Sequence, residues 1–369
     1  MRHFISNFIN YTLLSLEGIM RRAILPCVLC ASILSGTDPA FPQDPPGNAS
    51  PTPQVGRPPE QQQVKPPLES TAIFEQSGVL TPRNTFVIEP SLQYAHSSTY
   101  RVALVGYTVI PSINVGYIDI RNVERNTFVA ALSFRYGITN YLEVETKIPY
   151  VYRTDSTSTQ PTDQKNPPNV FEADGDGLGD IEFGLRYQVN RPKAGSPYYI
   201  FGLRAKSNTG KDPFEVPTDP NTTSVSGGIG LQTELPTGSG FWAVQPSLSA
   251  VYPSDPVVFF GSVSYLWNID RSTPIGRIDP GDIIGFNFGM GLGLNEKASF
   301  SIGYDHSTVG KVKKNGEVLA GSMVSQVGSL IIGYAYKYSE TTNINVSIAA
   351  GLTEAAPNVQ LTLRVPMSF

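Results

Sequence analysis

The chain has 369 residues, 16% of them charged, with 34 glycines, 18 tyrosines and 18 phenylalanines; an average soluble domain carries about 25% charge. So few charges and so many aromatics point away from a surface made wholly for water. The formal net charge of -4 leaves no basic footprint for nucleic acid, which is excluded as a partner. The two cysteines, Cys27 and Cys30, leave the rest of the chain without a disulfide framework or a cysteine metal site.

Residues 1–40 read as an export signal. Met20, Arg21 and Arg22 begin a basic region, Ala23 to Leu34 is a short apolar stretch broken by Pro26, and the small residues Gly36 and Ala40 stand behind it. The apolar run falls short of the roughly 20 residues a spanning helix needs, and Met20 reads as the true start. Residues 41–70 contain FPQDPPGNASPTPQVGRPPEQQQVKPP, whose prolines forbid helix and central strand and predict an extended, disordered tether. Residues 71–82 predict a short plug helix. Ser70 can cap a turn over Thr71 to Gln76, which Gly78 and Pro82 stop. Its apolar Ile73, Phe74 and Val79, with Glu75 and Arg83 beside them, cannot hold a helix of that length alone and would gain partners by folding into the periplasmic mouth of a barrel.

Residues 83–369 change to period two and stay there. TFVIEPSLQY, FVAALSFRY, YLEVETKIPYVY, IEFGLRYQV and YIFGLRAK alternate apolar and polar positions, and the theme repeats around 242–252, 257–266, 284–292, 298–304, 330–336, 344–348 and 359–369. Twelve strands is an even number, as a single-chain transmembrane β-barrel requires. Brief connections alternate with long polar insertions at 154–177, 209–239, 270–280 and 307–323, the order of short periplasmic turns and long external loops. Counting TTSVSGGIGLQTE, or Arg101 to Ile118, as spanning strands breaks that order, so both are assigned to outer loops or strand extensions. The fold class is therefore all-β, an antiparallel transmembrane barrel with a plug segment and a periplasmic tether. The terminal VQLTLRVPMSF makes Phe369 the residue that closes the last strand on the first.

The charged residues on the polar parity are Glu89, Arg135, Glu143, Glu145, Lys147, Glu182, Arg186, Arg204, Lys206, Asp305, Lys337 and Arg364. They are expected to face the lumen, either as a selectivity lining or as ion pairs that hold a narrow barrel round. His3, His96 and His306 make no ligand cluster. The run DGDGLGD, with Asp174, Asp176 and Asp180, lacks the spacing and final Glu of a calcium loop and reads as the chain leading back into the strand near Gly177. No catalytic residue, metal or cofactor is assigned, and the protein is not read as an enzyme.

The stretches AIFEQSGVLTPRNTFVIEPSLQYAHSS, ALSFRYGITNYLEVETKIPYVYR, GLGDIEFGLRYQ, YPSDPVVFFGSVSYLWNI and DPGDIIGFNFGMGLGLNEKASFSIGY resemble the outer-membrane barrels labelled for the meta-pathway of phenol degradation. Within that family the likeness is closest to the branch that secretes functional amyloid subunits of the Fap type. The resemblance implies a Gram-negative outer membrane, a plug over Thr71 to Leu80 and a linker in the proline-rich stretch. The periplasmic coiled coil of that branch has no counterpart here, since prolines exclude heptads between Ala40 and Leu68. Expected partners are outer-membrane lipid and lipopolysaccharide, the barrel assembly machinery, secreted amyloid subunits with periplasmic partners, and a second copy of the chain. The leading expectation is passive export of an unfolded amyloid-type polypeptide through a plugged barrel. A channel for small hydrophobic or aromatic compounds and a structural or adhesive surface barrel stand as alternatives.

Overall fold

The computed structural model describes residues 80–369, except 111–112, 161–168, 192–195, 220–230, 255 and 320–321. The export signal, the tether and the plug positions Ile73, Phe74, Glu75 and Val79 lie outside the described residues.

Twelve antiparallel strands form one closed sheet: β1 (Phe86–Ile110), β2 (Ile113–Thr139), β3 (Leu142–Gln160), β4 (Glu182–Gln188), β5 (Tyr198–Lys206), β6 (Ala243–Ser254), β7 (Val257–Asn268), β8 (Ile283–Gly293), β9 (Ala298–Val309), β10 (Ser325–Lys337), β11 (Asn343–Gly351) and β12 (Val359–Arg364). Each pairs with the next in sequence, and β12 closes on β1 with Leu361 opposite Tyr94. Pro366 interrupts the ladder, because it has no N–H to give, but the register survives it: Met367 and Ser368 lie opposite Ile88 and Val87. Phe369 then exchanges both backbone hydrogen bonds with Phe86, at 2.8 and 3.1 Å. Closure removes the sheet edges that would otherwise stay unpaired.

The alternation in the sequence sorts onto the two faces. Leu92, Phe128, Leu132, Phe183, Leu203, Leu248, Val263, Phe288, Ile332, Ile348 and Leu361 are exposed, an apolar surface far larger than a water-soluble monomer carries. Aromatic residues bound it at both ends. Phe86, Tyr136, Tyr187, Tyr199, Tyr252 and Phe369 lie at the short-turn end, and Tyr150, Tyr152, Trp242 and Trp267 at the other, all exposed. Trp242 and Tyr252 flank the span of β6. At about 3.3 Å per residue and a tilt of about 40°, their ten-residue separation rises about 25 Å along the barrel axis, the height of the apolar band in such barrels.

The long insertions are more regular than expected. Residues 154–177 are mostly strand rather than loop: β3 runs on to Gln160 and pairs with a strand at Asn169–Leu178. The chain therefore enters the next spanning strand at Glu182, not near Gly177. Insertions 270–280 and 307–323 hold hairpins, Arg271–Thr273 with Gly276–Asp279 and Lys313–Lys314 with Glu317–Val318, that join in a four-stranded sheet. Arg101 to Ile118 is a strand extension, the tip of the β1–β2 hairpin. Within TTSVSGGIGLQTE, the described Leu231–Gln232 pairs only with Thr218–Asp219, off the barrel. The physical reason is common to all: a long protruding segment has to satisfy its backbone groups, and pairing with itself does so.

Candidate functional site

The barrel interior is the candidate site, and parity determines its walls. On β1 to β5 and on β12, the positions opposite the lipid face carry charges, and the strand register sets them side by side. Glu89 receives Arg364 Nε at 2.7 Å on one oxygen and Arg135 Nη2 at 2.5 Å on the other. Arg135 is also the cross-strand partner of Glu145. Glu143 and Arg186 are direct partners between β3 and β4, with 3.0 Å between charges. Lys147 lies opposite Glu182, and Glu182 opposite Lys206. Arg204 reaches Glu182 at 2.9 Å and donates through Nε to Gln245 Oε1 at 2.8 Å. Lys206 Nζ donates to Ser239 Oγ at 2.7 Å and lies 3.6 Å from Asp180.

The charges are buried as well as paired. Glu143 is 0% exposed, and Glu89, Arg186 and Lys206 are buried too. Each ion taken from water costs several kcal/mol, which the partner and further hydrogen bonds have to offset. The pairs thus fix one another's positions in the wall. Between them is a cavity of about 60 Å³, lined by residues that include Glu145, Lys147, Glu182, Arg186, Arg204 and Gln245.

At the short-turn end the chain enters this interior. Leu80 and Thr81 are buried, and the Thr81 N–H donates to Glu143 Oε2 at 2.6 Å. Gly137 on β2 makes the passage possible: a Cβ there would stand 2.1 Å from the Pro82 carbonyl oxygen and 2.5 Å from that of Thr81. Arg83 lies apart from them, exposed, its N–H bonded to Asn140 in the β2–β3 turn at 3.0 Å. Lys337 is a second rim residue. It shares the inward parity but is half-exposed, and pairs with Glu340 in the next turn at 2.6 Å.

At the other end, residues 207–219 and 231–242 fold into a lobe that no sequence period announces. Asp212 of the lobe pairs with Arg271 between β7 and β8. The Arg153 guanidinium on β3 donates to Pro236 O at 3.0 Å, and Ser239 donates to Asp180 through both N–H and hydroxyl. Val216, Leu235 and Phe241 are buried in it, with Phe214 edge-on to Phe241 at 6.0 Å. Arg277, hydrogen-bonded to Asp270 in the neighbouring hairpin, holds that carboxyl below its usual range. His96 bonds Asn126, and His306 lies between Tyr304 and Gln326. Among the described residues no group of three His, Cys, Asp or Glu is placed to hold a metal ion.

Closed wall, lipid-facing belt and polar interior define a transmembrane β-barrel of the outer-membrane type. Residues 232–369 match the family described as the MetA-pathway of phenol degradation. Among solved structures, an outer-membrane channel from Pseudomonas putida F1 is similar at 14% identity and a TM-score of 0.54, covering 78% of this chain and 97% of that one. A Pseudomonas aeruginosa FadL homologue matches at 7% identity and 0.39, over 79% and 95%. The P. putida toluene transporter TodX matches at 9% identity and 0.39, over 78% and 90%. The first of these shares the fold, and with the apolar belt it places the chain in the outer membrane of a Gram-negative bacterium. The link to the amyloid-secreting branch gains no support from these matches.

Proposed function

We propose that the protein is a passive outer-membrane channel for small, largely apolar solutes, aromatic compounds foremost. The observation that carries this reading is the interior itself. Paired charges from five consecutive strands and β12 line one side of a polar interior, and a cavity of about 60 Å³ lies among those on β3 to β5, on the scale of a small molecule. The family match over residues 232–369 and the channel fold support it. Export of an unfolded polypeptide gains no support from the similar structures and is not carried forward as the main reading. We also assign Leu80 and Thr81, the latter held through Glu143, the role of an internal stopper at the periplasmic mouth.

The test is uptake by a Gram-negative host stripped of its own porins, whose lipopolysaccharide leaflet resists aromatic compounds. Expression of this protein is expected to raise the entry rate of radiolabelled toluene several-fold over an inactive barrel. Entry no faster than the control would overturn the reading and leave the surface-barrel alternative.

A further inference from the structure

The two halves of the barrel wall are unlike. Inward positions on β6 to β11 carry small or neutral residues, among them Ser262, Ser264, Gly289, Gly303, Ser307 and Ser329. Among the described residues, the only charges on that inward parity are Lys337, which is paired at the rim, and Asp305 on β9. Asp305 is 2% exposed, and its cross-strand partners are Asn287 on β8 and Ser329 on β10. The inward faces of β8 and β10 bring no cation to it, and the neighbouring His306 belongs to the opposite, outward parity.

Two acceptors are left over at this place. Asp305 Oδ1 is buried without a hydrogen-bond partner, and so is Asn287 Oδ1, whose amide is turned by its own donation to Ser262 Oγ at 2.8 Å. Buried acceptors without donors are rare and costly in native proteins. Beside them the wall has an apolar element. Phe260 lies opposite Gly289, where an added Cβ would stand 2.7 Å from the Phe260 ring edge, so glycine lets the ring rest against the wall.

We propose that Asp305 and Asn287 form a solute subsite that takes a hydrogen-bond-donating head group, hydroxyl or ammonium, on an otherwise apolar small molecule whose body lies along Phe260. This rests on the channel reading above and names the chemistry that reading leaves open. Two adjacent acceptors, one of them a carboxyl, disfavour carboxylates and give an unsubstituted hydrocarbon nothing to bond.

The experiment is binding to the full-length protein in detergent, by saturation-transfer NMR, with benzyl alcohol, benzylammonium, toluene and benzoate as probes. The wild type is expected to bind the two donor probes more tightly than toluene. Asp305→Asn and Asn287→Leu are each expected to weaken one or both donor probes about tenfold or more while toluene binding is unchanged, which also reports that the barrel is folded. Loss confined to benzylammonium identifies a cation site, and loss of both a general donor site. Donor binding at wild-type strength in both variants would overturn the subsite. So would a wild type that shows no preference for donors over toluene. Toluene uptake without donor preference sinks this inference alone, whereas failure of uptake in the porin-free host sinks the channel reading beneath it.

Discussion

Glu143 and Lys337 sit on the same parity and behave as opposites. Glu143 is fully buried against Arg186 and the Thr81 amide, so Arg186→Met would leave an uncompensated charge in the wall. Its expected cost is about 3–5 kcal/mol, measured as a lower urea midpoint for unfolding from lipid vesicles; a cost under about 1 kcal/mol would contradict the packing described. Lys337→Ala is expected to leave the same midpoint unmoved, because its partner Glu340 stands in water. Parity alone picks out both residues in the sequence. It cannot pair them, since Glu89 finds Arg364 275 positions away and only the register of the closed sheet brings those two together. For the same reason Asp305 reads in the sequence as one more member of a mixed set, and its isolation emerges only when its strand neighbours are known.

The element scale is where the sequence is most legible. All twelve spanning segments show in the period of two, because lipid on one side and a polar interior on the other impose the same alternation on every strand. The insertions are legible only as polar and long. Strand extension at 154–177 and the lobe containing Asp212, with its partner Arg271, depend on contacts between distant segments, which leave no periodic trace. The lipid face makes a direct prediction. Val263, at the middle of β7 and 60% exposed, is expected to cost about 2–4 kcal/mol when replaced by Arg, seen as impaired folding into vesicles. Ser249→Ala, at the inward position opposite Ser262 on the neighbouring β6, is expected to fold as the wild type does. Equal tolerance at both positions would contradict the assignment of faces.

The barrel as a whole faces lipid on its outside, and its interior is charged and tightly paired on one side and small and neutral on the other. Leu80 and Thr81 lie against the interior at the short-turn end, and the lobe is tied to the wall at the other. On the channel reading proposed above, Leu80 and Thr81 limit conduction. Single-channel conductance in planar bilayers, comparing the full-length protein with one lacking everything before Arg83, tests this most directly. Small, flickering currents from the full-length protein and larger, steady ones from the shortened form are the expected result. If both forms stay closed, the interior is not a conduit, and the outer surface becomes the place to seek the protein's role.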